Sequence, residues 1–194
     1  MIKIAITGGI ACGKTVLGTM WESMGVPVCD TDVVAHALME KEGAACGPVA
    51  TFFGPQVVGS DGGIDRRKLG ARVFADESAR GQLNRIVHPL VMAEVSRWLD
   101  RQAGPVSAVL APLLYEAGLD QGWDAVVCVA ASRQTQLQRL RARGLTMADA
   151  ELRLSAQWPV ARKMERADYV VVNNGSLDVL REQAGRVLNN IRER

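Results

Sequence analysis

The stretch ITGGIACGKT, positions 6 to 15, constrains the fold more tightly than any other part of the chain. It follows directly on an apolar run that opens at Ile2. Gly8 and Gly13 stand five positions apart, and Gly13 is followed at once by Lys14 and Thr15, giving the spacing G-x-x-x-x-G-K-[ST]. Next comes an amphipathic run with Val16, Leu17, Met20, Trp21 and Met24 at helical intervals. A strand, a glycine-rich turn and a helix in that order make a phosphate-binding loop. The glycines let the backbone bend until successive amide N–H groups converge on phosphate oxygens, and the positive end of the helix dipole adds to that anion site. Lys14 would reach the β- and γ-phosphates of a bound nucleotide, and the Thr15 hydroxyl would ligate Mg2+.

The rest of the chain supplies a matching frame. Nearly continuous apolar runs rich in β-branched residues predict strands at Ile2 to Ile6, Val26 to Cys29, Val106 to Leu110, Ala125 to Ala130 and Tyr169 to Val172. Helical stretches between them imply right-handed crossovers, hence a three-layer α/β core on a five-stranded parallel sheet. Two segments are too long for simple crossovers. The first, Asp30 to Pro105, holds Pro48, a turn at Ser60-Asp61-Gly62-Gly63, a helix from Arg66 to Phe74 and another from about Leu90 to Arg101. It reads as a helical lobe able to cover a substrate. The second, Arg133 to Lys163, starts as a helix from Gln134 to Arg143 and breaks at Gly144; a new helix follows, capped by Thr146 with Asp149 three residues on. Ser176 to Arg194 predicts an amphipathic helix with Leu177, Leu180, Val187, Leu188 and Ile191 inward. One domain is expected, with a core of about 1–30, 104–132 and 164–194, a lobe over 31–103 and a lid over 133–163.

Composition narrows the partners. With 48% hydrophobic and 23% charged residues and a net charge of +2, the chain reads as soluble and globular, with no electrostatic case for nucleic acid. The opening apolar run is too short for a signal peptide, and no window approaches the roughly 20 apolar residues of a membrane span, so the cytoplasm is the expected address. Cys12, Cys29, Cys46 and Cys128 form no CxxC pair and lack a histidine at ligand spacing, so small buried side chains are expected rather than disulfides or zinc. Cys12 is the exception, because a helix N-terminus beside it would lower its pKa and favour oxidation.

The same loop serves switches, motors and kinases. A guanine-nucleotide switch would carry Asn-Lys-x-Asp and an Asp-x-x-Gly after a strand, and neither occurs here. Leu110-Ala111-Pro112 ends the third strand without the carboxylate usual in ATPase subunits. A small-molecule kinase is favoured over a nucleotide-binding switch. Its acceptor needs a base, and VPVCDTDVVAH offers Asp30 and Asp32 at a strand's carboxyl end, the edge where open α/β sheets bind ligands. Asp30 or Thr31 is assigned to cap the next helix and Asp32 to face the cleft. Glu116, in APLLYEAGL, is either a solvated loop residue or a group holding the acceptor or a Mg2+-bound water. Gln136, Arg139 and Arg143 share a helix face, which is either solvated or a set of lid arginines over the phosphates. His36 and His88 stand alone, with His88 before Pro89 at an expected helix start, and Trp21, Trp98, Trp123 and Trp158 are expected to pack the core.

Taken together, ITGGIACGKT, VPVCDTDVVAH, DGGIDRRKLGARVF, IVHPLV, PLLYEAGL, QLQRLRAR and ADYVVVNNGS follow the order of the dephospho-CoA kinase family, which the chain resembles from its first strand to about Ser176. The loop is common to many families; D-x-D, His-Pro, PLL-x-E and AD-x-x-x-x-N together are far more specific. The resemblance implies a P-loop nucleoside-triphosphate hydrolase/kinase-like fold with a helical substrate lobe and a lid. It implies ATP-dependent phosphorylation of the ribose 3′-hydroxyl of dephospho-coenzyme A, the final step of coenzyme A synthesis. Mg2+ would accompany ATP, with no nucleic acid, membrane or oligomer required. By position, Asp32 matches the general base. Ala11, Cys12, Gly13, Lys14, Thr15 and Val16 match the ATP-phosphate segment, so that ATP would sit on the loop from Gly8 and Gly9 onward. Arg139 and Arg143 match the lid arginines, Asn174 lies in the loop beside adenine, and Arg66, His88 and Glu116 match positions lining the acceptor cleft. Ala11 and Cys12 replace the family's common glycine and serine. Ala111 leaves Mg2+ to rest on Thr15, phosphate oxygens and water.

Overall fold

A computed structural model describes residues 1–193. Its contacts divide the chain into two compact units, Met1–Cys29 with Gln102–Arg194, and Asp30–Arg101. The first unit is built on a five-stranded parallel sheet of order β2-β3-β1-β4-β5, formed by β1 (Ile2–Gly8), β2 (Val28–Asp30), β3 (Val106–Leu110), β4 (Ala125–Ala130) and β5 (Tyr169–Val172). Pairing is parallel with β1 central: Ile4 lies opposite Ala108 of β3 and Ala125 of β4. Every residue of β3 and β4 is buried. That explains the unbroken apolar runs, because helices cover both faces of the sheet.

Those helices are α1 (Lys14–Ser23), α6 (Arg133–Ala142), α7 (Met147–Ser155), α8 (Val160–Arg166) and α9 (Leu177–Arg192). Trp21 of α1 is completely buried and satisfies its indole N–H by donating to the carbonyl of Ala184 at 3.1 Å. Leu180, Ala184, Val187, Leu188 and Ile191 of α9 close the same core. Leu177 departs from the expected inward stripe and is 63% exposed. It occupies the first turn, and helical side chains lean toward the N-terminus, so it projects past the packed stretch. Ser132, Thr146 and Ser176 cap α6, α7 and α9 through their hydroxyls. The segment expected as a lid thus consists of α6 to α8 and falls within the first unit.

The second unit is helical: α2 (Thr31–Met39), α3 (Cys46–Phe53), a 3-10 turn at Pro55–Val57, α4 (Arg66–Ala75) and α5 (Glu77–Asp100). Asp30, Asp65 and Asp76 cap α2, α4 and α5 with their carboxylates. The turn at Asp61–Gly63 is closed by a bridge between Val58 and Ile64, with Gly62 at φ 86° and the Asp61 carboxylate accepting from the Gly63 amide. Pro89 does not begin a helix as the sequence suggested; α5 starts at Glu77 and runs through it for 24 residues. An interior proline costs about 3 kcal/mol by removing one helical hydrogen bond and crowding the preceding turn. Burial of Val87, Val91, Val95 and Leu99 along one face offsets that cost, at about 1.5–3 kcal/mol for each such side chain. Among the described residues no helix is long and apolar enough to cross a membrane.

Candidate active site

The phosphate loop connects β1 to α1, and two glycines make it possible for different reasons. At Gly8, φ 142°, a Cβ would stand 2.1 Å from the carbonyl oxygen of Val129 on the neighbouring strand. At Gly13, φ 101°, it would stand 2.2 Å from Nδ2 of Asn173. Between them Ala11 adopts φ 58°, a left-handed conformation that costs an L-residue roughly 1–2 kcal/mol. The Cys12 amide donates to the carbonyl of Gly9 at 3.2 Å, tightening the turn. Gly13 then caps α1 and, having no side chain, makes no capping bond of its own to the helix's opening amides, as an anion site requires. Lys14 curls over the loop, its Nζ donating to the carbonyls of Gly8 and Gly9 at 3.0 and 2.9 Å. Thr15 and Val16 are exposed in the first turn of α1.

The reverse side of the loop is held by side chains from α6 and from the end of β5. Gln136 donates to the carbonyl of Ile10 at 2.7 Å, while the Ile10 amide donates to Oε1 of Gln157 at 2.9 Å. Arg139 donates through Nη1 to the carbonyls of Ala11 and Cys12, at 3.1 and 3.4 Å. Its Nη2 donates to the backbone carbonyl and Oδ1 of Asn173, at 3.0 and 3.1 Å. Asn173, 4% exposed, completes the ring by donating from Nδ2 to the Cys12 carbonyl at 2.8 Å. The terminal nitrogens of Arg139, matched by resemblance to a lid arginine, are thus spent on the loop's own frame.

Cys12 does not behave as its place in the loop suggested. The helix begins two residues later, and the thiol is buried in the core among residues that include Leu17 and Val129. Burial pushes the thiol's pKa up, outweighing Lys14, the backbone hydrogen bonds at Ala131 and Gly9, and Arg139. A protonated, enclosed thiol is inert rather than oxidation-prone.

Four more groups complete this unit's polar frame. Arg143 caps the end of α6 and is exposed. Asn174 accepts from the Ser132 amide at 2.8 Å, tying the ends of β4 and β5 together. Glu116 is not a solvated loop residue. Its Oε1 pairs with Nζ of Lys163 at 2.7 Å and accepts from the Trp158 amide at 2.9 Å, while Oε2 is buried without a partner in the described structure. The Lys163 side chain is fully buried and donates also to the Pro112 carbonyl at 2.8 Å.

In the second unit Asp30 takes the cap, accepting from the Asp32 amide at 2.8 Å. The chain is not extended between the two aspartates, because α2 already begins at Thr31. Asp32 is exposed in that helix's first turn, and His36 lies one turn further on the same face. The Arg66 guanidinium donates to Nδ1 of His36 at 2.6 Å, an acceptor role open only to the neutral ring. These two line a cleft of about 320 Å3 with Met39, Glu40, Asp61 and Ile64. His88, half-buried in α5, has its pKa lowered by desolvation.

Gly8 to Val16, Arg139 and the Asn173–Asn174 turn therefore converge in one unit, with Glu116 held on Lys163 in the same unit. Asp32, Arg66 and His88 belong to the other. Asn173, Lys163 and His36 were not singled out from the sequence. Asn173 was legible: it ends the AD-x-x-x-x-N pattern, one residue before the asparagine that was chosen. A lysine among the charges of RKMER carries no such signal, and neither does a solitary histidine.

A family model described as dephospho-CoA kinase matches residues 2–178. The dephospho-CoA kinase of Anaeromyxobacter dehalogenans (strain 2CP-C) is 45% identical over 196 residues, spanning 99% of this chain and 93% of that one. The crystal structure of TT1252 from Thermus thermophilus superposes with a TM-score of 0.84 at 33% identity, covering 97% of both chains. A shikimate kinase from Acinetobacter baumannii, 19% identical with a TM-score of 0.57 and covering 100% of this chain and 94% of that one, shares the fold. Matched across nearly its whole length and built on the same kinase core, the chain belongs to the dephospho-CoA kinase family.

Proposed function

We propose that this kinase transfers the γ-phosphoryl group of ATP to the ribose 3′-hydroxyl of dephospho-coenzyme A, completing coenzyme A in the cytoplasm. The observation that carries the reading is the uncapped start of α1 behind Gly13, with Lys14 folded over the loop, in a chain of this family. The amides of the first turn bind the phosphates, and Lys14 exchanges its carbonyl partners for β- and γ-oxygens. Arg143, exposed at the end of α6, adds positive charge as the phosphoryl group moves.

The residues present fit a bound Mg2+. Thr15, exposed in the first turn of α1, would hold it through its hydroxyl together with phosphate oxygens and water, since Ala111 offers no ligand. When bound, the ion neutralises charge on the β- and γ-phosphates. On the acceptor side Asp32 takes the proton of the 3′-hydroxyl as it attacks. Arg66, set by His36, binds an anionic part of the acceptor, and His88 belongs to the same unit. The unpartnered Oε2 of Glu116 is an acceptor for a substrate hydroxyl or a metal-bound water. The test is an acceptor panel with purified protein, ATP and Mg2+: turnover with dephospho-coenzyme A and little with nucleosides or nucleoside monophosphates is expected. Preference for one of those others, or ATP hydrolysis without transfer, would overturn the reading.

A further inference from the structure

The left-handed turn at Ala11 is not held by glycine. It is held from behind. Arg139 bonds the carbonyls of both Ala11 and Cys12, Asn173 bonds that of Cys12, and Arg139 and Asn173 bond each other through two further contacts. One turn earlier on α6, Gln136 fixes the carbonyl of Ile10, and Leu140 packs on Ala11. A trans peptide sets its N–H opposite its C=O. Turning the Cys12 carbonyl onto Asn173 therefore aims the Gly13 N–H at the other side of the loop, where an anion can meet it.

We infer that Arg139 and Asn173 form a brace that holds Ala11 in its left-handed conformation and so sets the loop amides for ATP. Both are positioning residues for phosphoryl transfer, acting through the backbone carbonyls of Ala11 and Cys12. The inference rests on the reading that this loop binds ATP. It makes a specific demand: glycine adopts a positive φ without penalty, so a glycine at position 11 should need the brace less.

The experiment compares Asn173→Ala in two backgrounds, the natural chain and Ala11→Gly, reading KM for ATP, KM for dephospho-coenzyme A and kcat. In the natural chain KM for ATP should rise about tenfold, the scale of one lost hydrogen bond, with KM for dephospho-coenzyme A nearly unchanged. With Ala11→Gly the same substitution should raise it no more than about threefold, since the residual cost excludes the φ penalty. Equal penalties in both backgrounds, or a parallel rise in both KM values, would overturn the brace. If Asn173→Ala does not fold, Arg139→Lys carries the same comparison, because it keeps the charge and loses the planar two-sided donor set. Binding of a non-hydrolysable ATP analogue to the natural chain separates the two failures. No binding sinks the ATP reading itself, whereas normal binding by chain and variants alike sinks the brace alone.

Discussion

Asn173 donates from its carboxamide to the carbonyl of Cys12 at 2.8 Å, and its Nδ2 lies only 2.2 Å from where a Cβ on Gly13 would stand. One asparagine therefore both bonds the phosphate loop and excludes any side chain from its last glycine. Gly13→Ala should lose about 2 kcal/mol or more, adding displacement of Asn173 to the cost of φ 101°. Urea denaturation measures it, and ATP binding should weaken in parallel.

Ala11→Gly should move stability the other way. Relief of the left-handed alanine, less the extra freedom glycine gives the unfolded chain, leaves a gain of up to about 1 kcal/mol. Calorimetry should show Tm raised by about 2 °C.

Lys163 and Glu116 are a buried pair, the lysine side chain wholly enclosed. Lys163→Met strands the Glu116 carboxylate and should destabilise by about 3–5 kcal/mol. Adding Glu116→Gln removes the stranded charge and should recover much of the loss, which a double-mutant cycle followed by denaturant unfolding reads directly.

Stability should fall at both ends of the pH range. Burial pushes the Cys128 thiol up to about 12 and also raises Cys12, from an ordinary value of 9.0. The unfolded chain then loses these protons first, so stability is full below pH 9 and declines between 9 and about 12, by about 1.4 kcal/mol per pH unit for each thiol inside its window. Desolvation lowers His88 from 6.5, so the unfolded chain gains that proton first and stability is lost as pH falls below 6.5. Unfolding curves at pH 5, 8 and 10.5 should place the maximum at the middle value, and Cys128→Ala should flatten the alkaline limb.

Asp32→Asn should leave ATP binding intact and cut turnover by roughly 100-fold or more, the usual scale for loss of a general base. Turnover near that of the natural chain would remove Asp32 from the chemistry.

The strands and the phosphate loop were legible because their signals are local. Val106 to Leu110 and Ala125 to Ala130 are apolar at every position or nearly so, and the loop is written in spacing. Pro89 misled because a helix boundary is decided by burial along the whole face of α5 rather than by the proline. The Asp30–Asp32 pair gave the correct cap, and because the helix begins at Thr31, Asp32 stands in its first turn rather than on a strand's end. Arg139 was found by its helix face, yet besides the Asn173 side chain its partners are backbone carbonyls at positions 11, 12 and 173, which no pattern of side chains announces. Lys163 was hidden for the same reason: its burial is set by Pro112 and Glu116, some 50 residues away.

The most direct measurement is phosphorus NMR of a reaction holding the purified chain, ATP, Mg2+ and dephospho-coenzyme A. ADP and a new phosphomonoester on the ribose 3′-oxygen, growing together, are the expected result. ADP appearing with inorganic phosphate while dephospho-coenzyme A stays unchanged would contradict it.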